Sequence, residues 1–220
     1  MNMMDDTSSK ETSATRTAYL SLRDMILTGA LPAGQKLKIE ELRRLLETGA
    51  SPVREALSLL TSDMLVERID QRGFRTAAAS IDNFEEILKL RCTLEDMALR
   101  QSIARGTSDW EERLVLSHHR MKRAAETPTF EDAHKAFHMA LLSDAKSPML
   151  ERYCSQLYDL NIRYRYLAAG GPNYQRRDVV TEHEDILDAA IQRDANATST
   201  ALLNHYRLTG AYLATQLGDL

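Results

Sequence analysis

The stretch SPVREALSLLTSDMLVERIDQRGFRT, positions 51–76, changes its hydrophobic period partway along and decides the fold of the first third of the chain. Ser51 and Pro52 open it like a helix start, since a serine hydroxyl caps free N–H groups and proline suits the first helical position. Val53, Ala56, Leu57 and Leu60 then recur at the spacing of one helix face. After Asp63 the pattern becomes strand-like: Leu65-Val66-Glu67-Arg68-Ile69, a turn at Gln71-Arg72-Gly73, and Phe74-Arg75-Thr76, a short β-hairpin. Upstream, Ile39, Leu42, Leu45 and Leu46 form a helix ended by Thr48-Gly49. Tyr19, Leu22, Met25, Ile26 and Leu27 form an earlier one, stopped at Thr28-Gly29. Pro32 and Gly34 mark the loop between them. Three short helices followed by a hairpin predict a winged helix-turn-helix domain over residues 16–78. The polar residues 1–15, rich in Ser, Thr, Asp and Met, read as a disordered lead-in, and Ala77-Ala78-Ala79-Ser80 as a hinge.

Downstream the periodicity is helical throughout. Helices are expected near 81–105, 109–126, 129–145, 148–168, 174–193 and 196–217, with breaks at Gly106, Pro128, Pro148 and Gly170-Gly171-Pro172. Long helices joined by short connections argue an antiparallel bundle over residues 79–220. The fold class is mainly α: an N-terminal winged helix-turn-helix and a C-terminal all-helical bundle.

Composition narrows the function classes. The chain has 220 residues, 43% hydrophobic and 27% charged, the balance of a globular protein of one or two domains. Lysine plus arginine number 28 against 32 aspartate plus glutamate, a net charge of −4 that excludes a histone-like polycation. No run of about 18 apolar residues is present, so no membrane partner is expected, and the polar start lacks the apolar region of a signal peptide. Cys92 and Cys154 stand apart without a CxxC pair and read as free thiols in a reducing, cytoplasmic compartment.

Residues 10–80 carry eleven Lys/Arg and nine Asp/Glu, whereas residues 81–220 carry seventeen and twenty-one. Within the basic part, Arg43 and Arg44 lie on the second helix, Ser51 and Arg54 near the start of the third, and Arg72 and Arg75 flank the hairpin tip. The start of a recognition helix points into the major groove, where an arginine donates two bonds to guanine or one to a phosphate. The remaining arginines would meet backbone phosphates and set register.

Four of the six histidines face inward. His134 and His138 stand one turn apart on one helix; His183 shares a stripe with Val179, Val180, Ile186 and Leu187; His205 lies with Ala201, Leu202, Leu208 and Tyr212. Two readings follow: separate hydrogen-bonded core histidines, or a metal site in the bundle core, since imidazole suits zinc, nickel or copper. His118 and His119 are adjacent, point to different faces and make a poor metal pair. A metal-dependent enzyme using the four histidines is the rival reading. Against it, the chain has no HExxH, nucleophile elbow or phosphate-cradling glycine loop. Glu182 and Glu184 flank His183 but face away from it on the helix.

Gly29-Ala30-Leu31-Pro32-Ala33-Gly34, then Ser51-Pro52-Val53-Arg54-Glu55-Ala56-Leu57, then Arg72-Gly73-Phe74 resemble the GntR superfamily of bacterial transcription regulators. The resemblance implies a winged-helix domain acting as a homodimer on a near-palindromic double-stranded operator. The family's DNA contacts fall on Arg43 or Arg44, on Arg54, and on Gly73 in the wing. Many members have an arginine in the turn before the recognition helix where this chain has Ala50, which shifts base readout toward Arg54.

The second half resembles the FCD effector domain of the FadR-like branch. The likeness is carried by Leu90-Arg91-Cys92-Thr93-Leu94-Glu95, Phe137-His138-Met139-Ala140-Leu141, Glu182 to Ala189, and His205. It implies a divalent metal, zinc or nickel, on His134, His138, His183 and His205, with His134 replacing the family's aspartate. A neutral ligand there leaves the ion with more positive charge for an organic anion. The resemblance also implies a small carboxylic acid effector. Arg91 lies on the apolar stripe of Phe84, Leu88 and Leu94, and either pairs with Glu95 or forks a carboxylate. Tyr158, Arg163, Tyr164 and Arg165 resemble a subgroup that regulates dicarboxylate catabolism, so Tyr158, Arg163 and Arg165 join Arg91 as effector candidates. The resemblance makes the chain a transcription regulator, a repressor by expectation, and not an enzyme.

Overall fold

A computed structural model describes residues 4–70, 72–125, 127–168 and 179–217. The chain forms two compact units, one made by residues up to Ser80 with Ile162–Leu167, the other by the remainder. The first contains α1 (Met4–Leu27), β1 (Lys36–Leu37), α2 (Ile39–Leu45), α3 (Ala50–Ser62), β2 (Val66–Ile69) and β3 (Gly73–Thr76).

Ala18, Leu22 and Ile26 recur every four residues on α1 and are buried, as are Val53, Ala56, Leu57 and Leu60 on α3, the helix that α1 packs against. Two polar ties pin the pair: Thr15 Oγ1 donates to Glu55 at 2.8 Å and Tyr19 Oη to Asp63 at 2.8 Å. Gly29 stops α1 with φ of 81°, a left-handed conformation that glycine adopts without Cβ strain. β2 and β3 pair antiparallel with Ile69 opposite Gly73 and Val66 opposite Thr76. The winged helix-turn-helix pattern is thus present.

Several local expectations change. The described helix α1 begins at Met4, well inside the stretch read as lead-in, because residues 4–15 contain no glycine or proline to stop a helix. Gly49, not Ser51, caps α3: its carbonyl accepts from Val53 N at 3.4 Å. Pro52 is therefore the third helical residue, still in the first turn where a missing N–H costs no hydrogen bond. Leu45 is exposed and only Leu42 of α2 is buried. The two-residue β1 was not foreseen; it pairs with β3, Leu37 opposite Phe74, giving the order β1-β3-β2. Gln71 of the expected turn lies outside the described residues.

The second unit is helical, built from α4 (Ile81–Arg105), α5 (Ser108–Arg123), α6 (Phe130–Leu142), α7 (Pro148–Ala168) apart from its residues Ile162–Leu167, α8 (Val179–Ile191) and α9 (Ala195–Leu217). Residues 174–178, expected to start the helix before His183, lie outside the described residues. The core gathers Leu99, Trp110, Leu114, Phe137, Leu141, Ile186, Leu202 and Tyr206. Thr107 caps α5, accepting from Trp110 N at 3.3 Å, and the Trp110 indole donates to the Ala140 carbonyl at 3.0 Å. That bond ties α5 to α6, the helix that carries two of the histidines. Among the described residues no helix is long and apolar enough to cross a membrane.

Candidate functional site

On the winged helix, the buried face of α3 leaves Ser51 and Arg54 exposed on the opposite side. Arg43, Arg44, Arg72, Gly73 and Arg75 are exposed as well. Arg43 pairs with Glu40 at 2.6 Å and Arg75 with Glu67 at 2.6 Å. Such exposed pairs are worth little and exchange readily for a phosphate partner. Among the described residues Arg44, Arg54 and Arg72 carry no ion pair. Gly73 has φ of 97°, and a Cβ there would meet open space, so its backbone is accessible at the hairpin tip. Arg68, exposed on β2 with its guanidinium 5.5 Å from the Phe74 ring, is a basic residue that the sequence reading passed over.

In the helical unit His134 and His138 on α6, His183 on α8 and His205 on α9 are all buried and offer ring nitrogens within 4.8 Å of one another. Three Nε2 atoms form a tight triangle: His134 to His183 is 3.0 Å, His134 to His138 is 3.2 Å and His138 to His183 is 3.3 Å. An ion bonded at about 2.0–2.1 Å by each nitrogen needs neighbouring ligands roughly 3.0–3.4 Å apart. The spacing therefore fits a divalent cation of the zinc type.

The opposite ring nitrogens show the same fit. His183 Nδ1 meets the Val179 carbonyl at 2.6 Å and His205 Nδ1 meets a Glu182 carboxylate oxygen at 2.7 Å. Both partners only accept, so both rings carry the proton on Nδ1 and present a bare Nε2 inward. His138 Nδ1 lies 2.9 Å from Tyr206 Oη, and Tyr206 gives its own proton to Glu95. His134 Nδ1 lies 2.5 Å from Tyr158 Oη. Outer partners of this kind orient metal-ligating imidazoles. Glu182, expected to play no part beside His183, reaches His205 on the next helix. Glu184 pairs with Lys122 at 2.5 Å.

Arg91 is buried beside this cluster, its guanidinium 4.6 Å from the Tyr158 ring and 4.1 Å from the Tyr206 ring. Nε donates to Glu95 at 2.6 Å and Nη1 to Asn161 at 3.0 Å. Nη2 is buried and has no hydrogen-bond partner among the described residues. Arg91 thus pairs with Glu95 and leaves Nη2 without a hydrogen-bond partner among the described residues. Burial alone would lower its pKa, but Glu95, Tyr206 and Tyr158 outweigh that and hold it above the ordinary arginine value. Burial drives the Tyr206 phenol well up, so it stays a neutral donor and acceptor.

The expected effector cluster divides. Arg91 and Tyr158 stand with the histidines, whereas Arg163 donates to the Ala77 carbonyl at 2.5 Å and groups with the N-terminal unit. Tyr164 accepts from Ser80 N at 3.4 Å, and Arg165 is half-buried in the same segment. Helix geometry separates them: Arg163, five residues beyond Tyr158, lies on another face of α7, and Arg165, seven beyond, lies about two turns further along the axis. Glu182 and Tyr206 are not readable from the sequence as partners of the histidines, because their contacts are made across helices.

Comparison with known proteins identifies both parts. The FCD domain family matches residues 86–208, and the family described as bacterial regulatory proteins, gntR family, matches residues 14–75. The chain is 38% identical over 196 residues to the HTH-type transcriptional regulator BphR of Paraburkholderia xenovorans, covering 85% of this chain and 80% of that protein. It is 28% identical over 203 residues to the HTH-type transcriptional repressor GlaR of Escherichia coli, covering 85% and 90%. The solved structure of Escherichia coli McbR/YncC shares the fold, with a TM-score of 0.79 at 22% identity over 92% of this chain and 98% of that one. The chain is a DNA-binding transcription regulator and not an enzyme, and it belongs to the GntR family, with an FCD domain behind its winged helix-turn-helix.

Proposed function

We propose that the protein is a repressor whose operator affinity is controlled by a small carboxylic acid, a dicarboxylate among the candidates, bound in the helical domain beside a divalent ion. The convergence of four buried imidazoles next to an arginine with a spare buried donor carries the reading. His134, His138, His183 and His205 hold the ion, zinc or nickel by ligand chemistry. When bound, the ion supplies a positive centre that a carboxylate oxygen can ligate. Arg91 donates through Nη2 to the acid, and the Tyr158 and Tyr206 rings hold the guanidinium in place. The reading narrows the effector candidates to Arg91 and Tyr158, since Arg163 already holds the Ala77 carbonyl.

Arg54 and Ser51 enter the major groove, and Arg43, Arg44, Arg72, Arg75 and the Gly73 backbone meet phosphates and the wing's groove. The protein acts as a cytoplasmic homodimer on a near-palindromic site. The acid lowers operator affinity only as far as it prefers the DNA-free form. The name of the GlaR relative, a repressor, supports the negative sense.

Two variants test this in opposite directions. Arg54→Ala loses operator binding in a fluorescence-anisotropy titration while its acid affinity stays within twofold. A His138→Ala, His183→Ala protein keeps operator binding but loses bound metal, by elemental analysis, and loses release by the acid. Loss of both functions in Arg54→Ala, or unchanged acid response in the double variant, contradicts the proposal.

A further inference from the structure

We infer that Tyr158 is the positioning residue that makes His134 a metal ligand, by accepting its Nδ1 proton and so presenting Nε2 inward as a lone pair. The inference rests on the metal reading above and concerns how this chain completes its site. The other three rings are fixed by partners whose sense is settled: the Val179 carbonyl for His183, the Glu182 carboxylate for His205, and a Tyr206 hydroxyl committed to Glu95 for His138. His134 differs. Its Nδ1 faces a hydroxyl at 2.5 Å, and a hydroxyl can donate or accept. The Glu131 carboxylate stands 3.9 Å from the same nitrogen, beyond hydrogen-bond reach.

The two senses have different consequences. If Tyr158 donates, the His134 proton sits on Nε2, aimed at His183 Nε2 at 3.0 Å and His138 Nε2 at 3.2 Å, and the nitrogen cannot bind an ion. If Tyr158 accepts, His134 Nε2 is a fourth lone pair in the cluster. Tyr158 is buried and its ring lies over Arg91, with Lys135 5.8 Å from it, so the hydroxyl is held in one place. The same side chain thus sets a ligand through its oxygen and supports the arginine through its ring.

Tyr158→Phe keeps the ring and removes the hydroxyl; His134→Asp replaces the imidazole with a carboxylate that has no Nδ1. Zinc affinity of the full chain, measured by competition with a chromophoric chelator, is compared in wild type, each single variant and the double variant. Tyr158→Phe weakens zinc by about 10–100-fold in the wild-type background and has no such effect in the His134→Asp background. Equal losses in both backgrounds, as a packing role would give, or no loss in either, overturn the inference while leaving the metal reading intact. Absence of zinc binding in wild type overturns both. Imidazole ¹⁵N spectra of the zinc-loaded wild type provide a test that needs no variant: His134 shows a protonated Nδ1 and a metal-bound Nε2. A His134 ring off the metal, or bound through Nδ1, is the contrary result.

Discussion

Glu95 illustrates how much a single side chain carries in this domain. Its carboxylate is fully buried and accepts hydrogen bonds from Arg91 at 2.6 Å and from the Tyr206 hydroxyl, which in turn fixes His138. Removing one member of a buried pair leaves the other charge uncompensated, so Glu95→Ala destabilises the domain by about 3–5 kcal/mol in chemical denaturation. A loss below about 1 kcal/mol would show that solvent reaches Arg91 in the folded protein. His118 is a second residue with a clear consequence. It is buried against Phe137, and its Nε2 has no hydrogen-bond partner among the described residues. Burial, with Lys122 and His119 adding, lowers its pKa from the ordinary 6.5, while Glu184 and Asp188 pull the other way. As pH falls through 6.5 the unfolded chain takes up this proton before the folded one does, so stability drops with acid in that window. Between pH 7 and 5, His118→Leu therefore loses less melting temperature than wild type. An equal or steeper loss would remove His118 from the acid response. Arg91 and the four histidines were legible as site candidates because each sits at an inward position of a strong helical period. Tyr206 and Glu182 were not, because what they touch is set by a neighbouring helix; of the Glu95 contacts only the pair with Arg91, one turn away on the same helix, is legible.

At the scale of elements, the recognition helix is held from behind by α1. Leu22 is fully buried against α3, and Thr15 and Tyr19 tie α1 to Glu55 and Asp63. Leu22→Ala costs about 2–5 kcal/mol and weakens operator binding through loss of the fold, seen as a lower unfolding midpoint. Retained stability with weakened DNA binding would instead point to a direct role for α1. The three helices and the hairpin could be read from periodicity and turn residues alone. β1 could not, since two residues carry no alternation, and it exists only because the Phe74 and Arg75 backbone offers it a partner. The α3 start lies two residues before the one the sequence predicts, because a serine before a proline is a cap signal that Gly49 pre-empts by accepting from Val53. The α1 start was placed too late, because polar residues without glycine or proline do not by themselves end a helix.

For the whole molecule the decisive question is whether ion and acid act together. The helical unit brings histidines from α6, α8 and α9 to one point, with Arg91 of α4 and Tyr158 of α7 beside it, so the site samples five helices. A ligand that binds such a site only in the folded state adds stability by mass action, about 2.7 kcal/mol at a hundred times its dissociation constant, and so raises the unfolding midpoint. Thermal unfolding of the zinc-loaded protein against a series of short mono- and dicarboxylic acids, with and without a chelator, reads this directly. The account predicts a rise in midpoint with at least one acid and its disappearance on chelation. A rise that survives chelation would leave Arg91 as the anchor and contradict the metal's part, and no rise with any acid would contradict the carboxylate-sensing function itself.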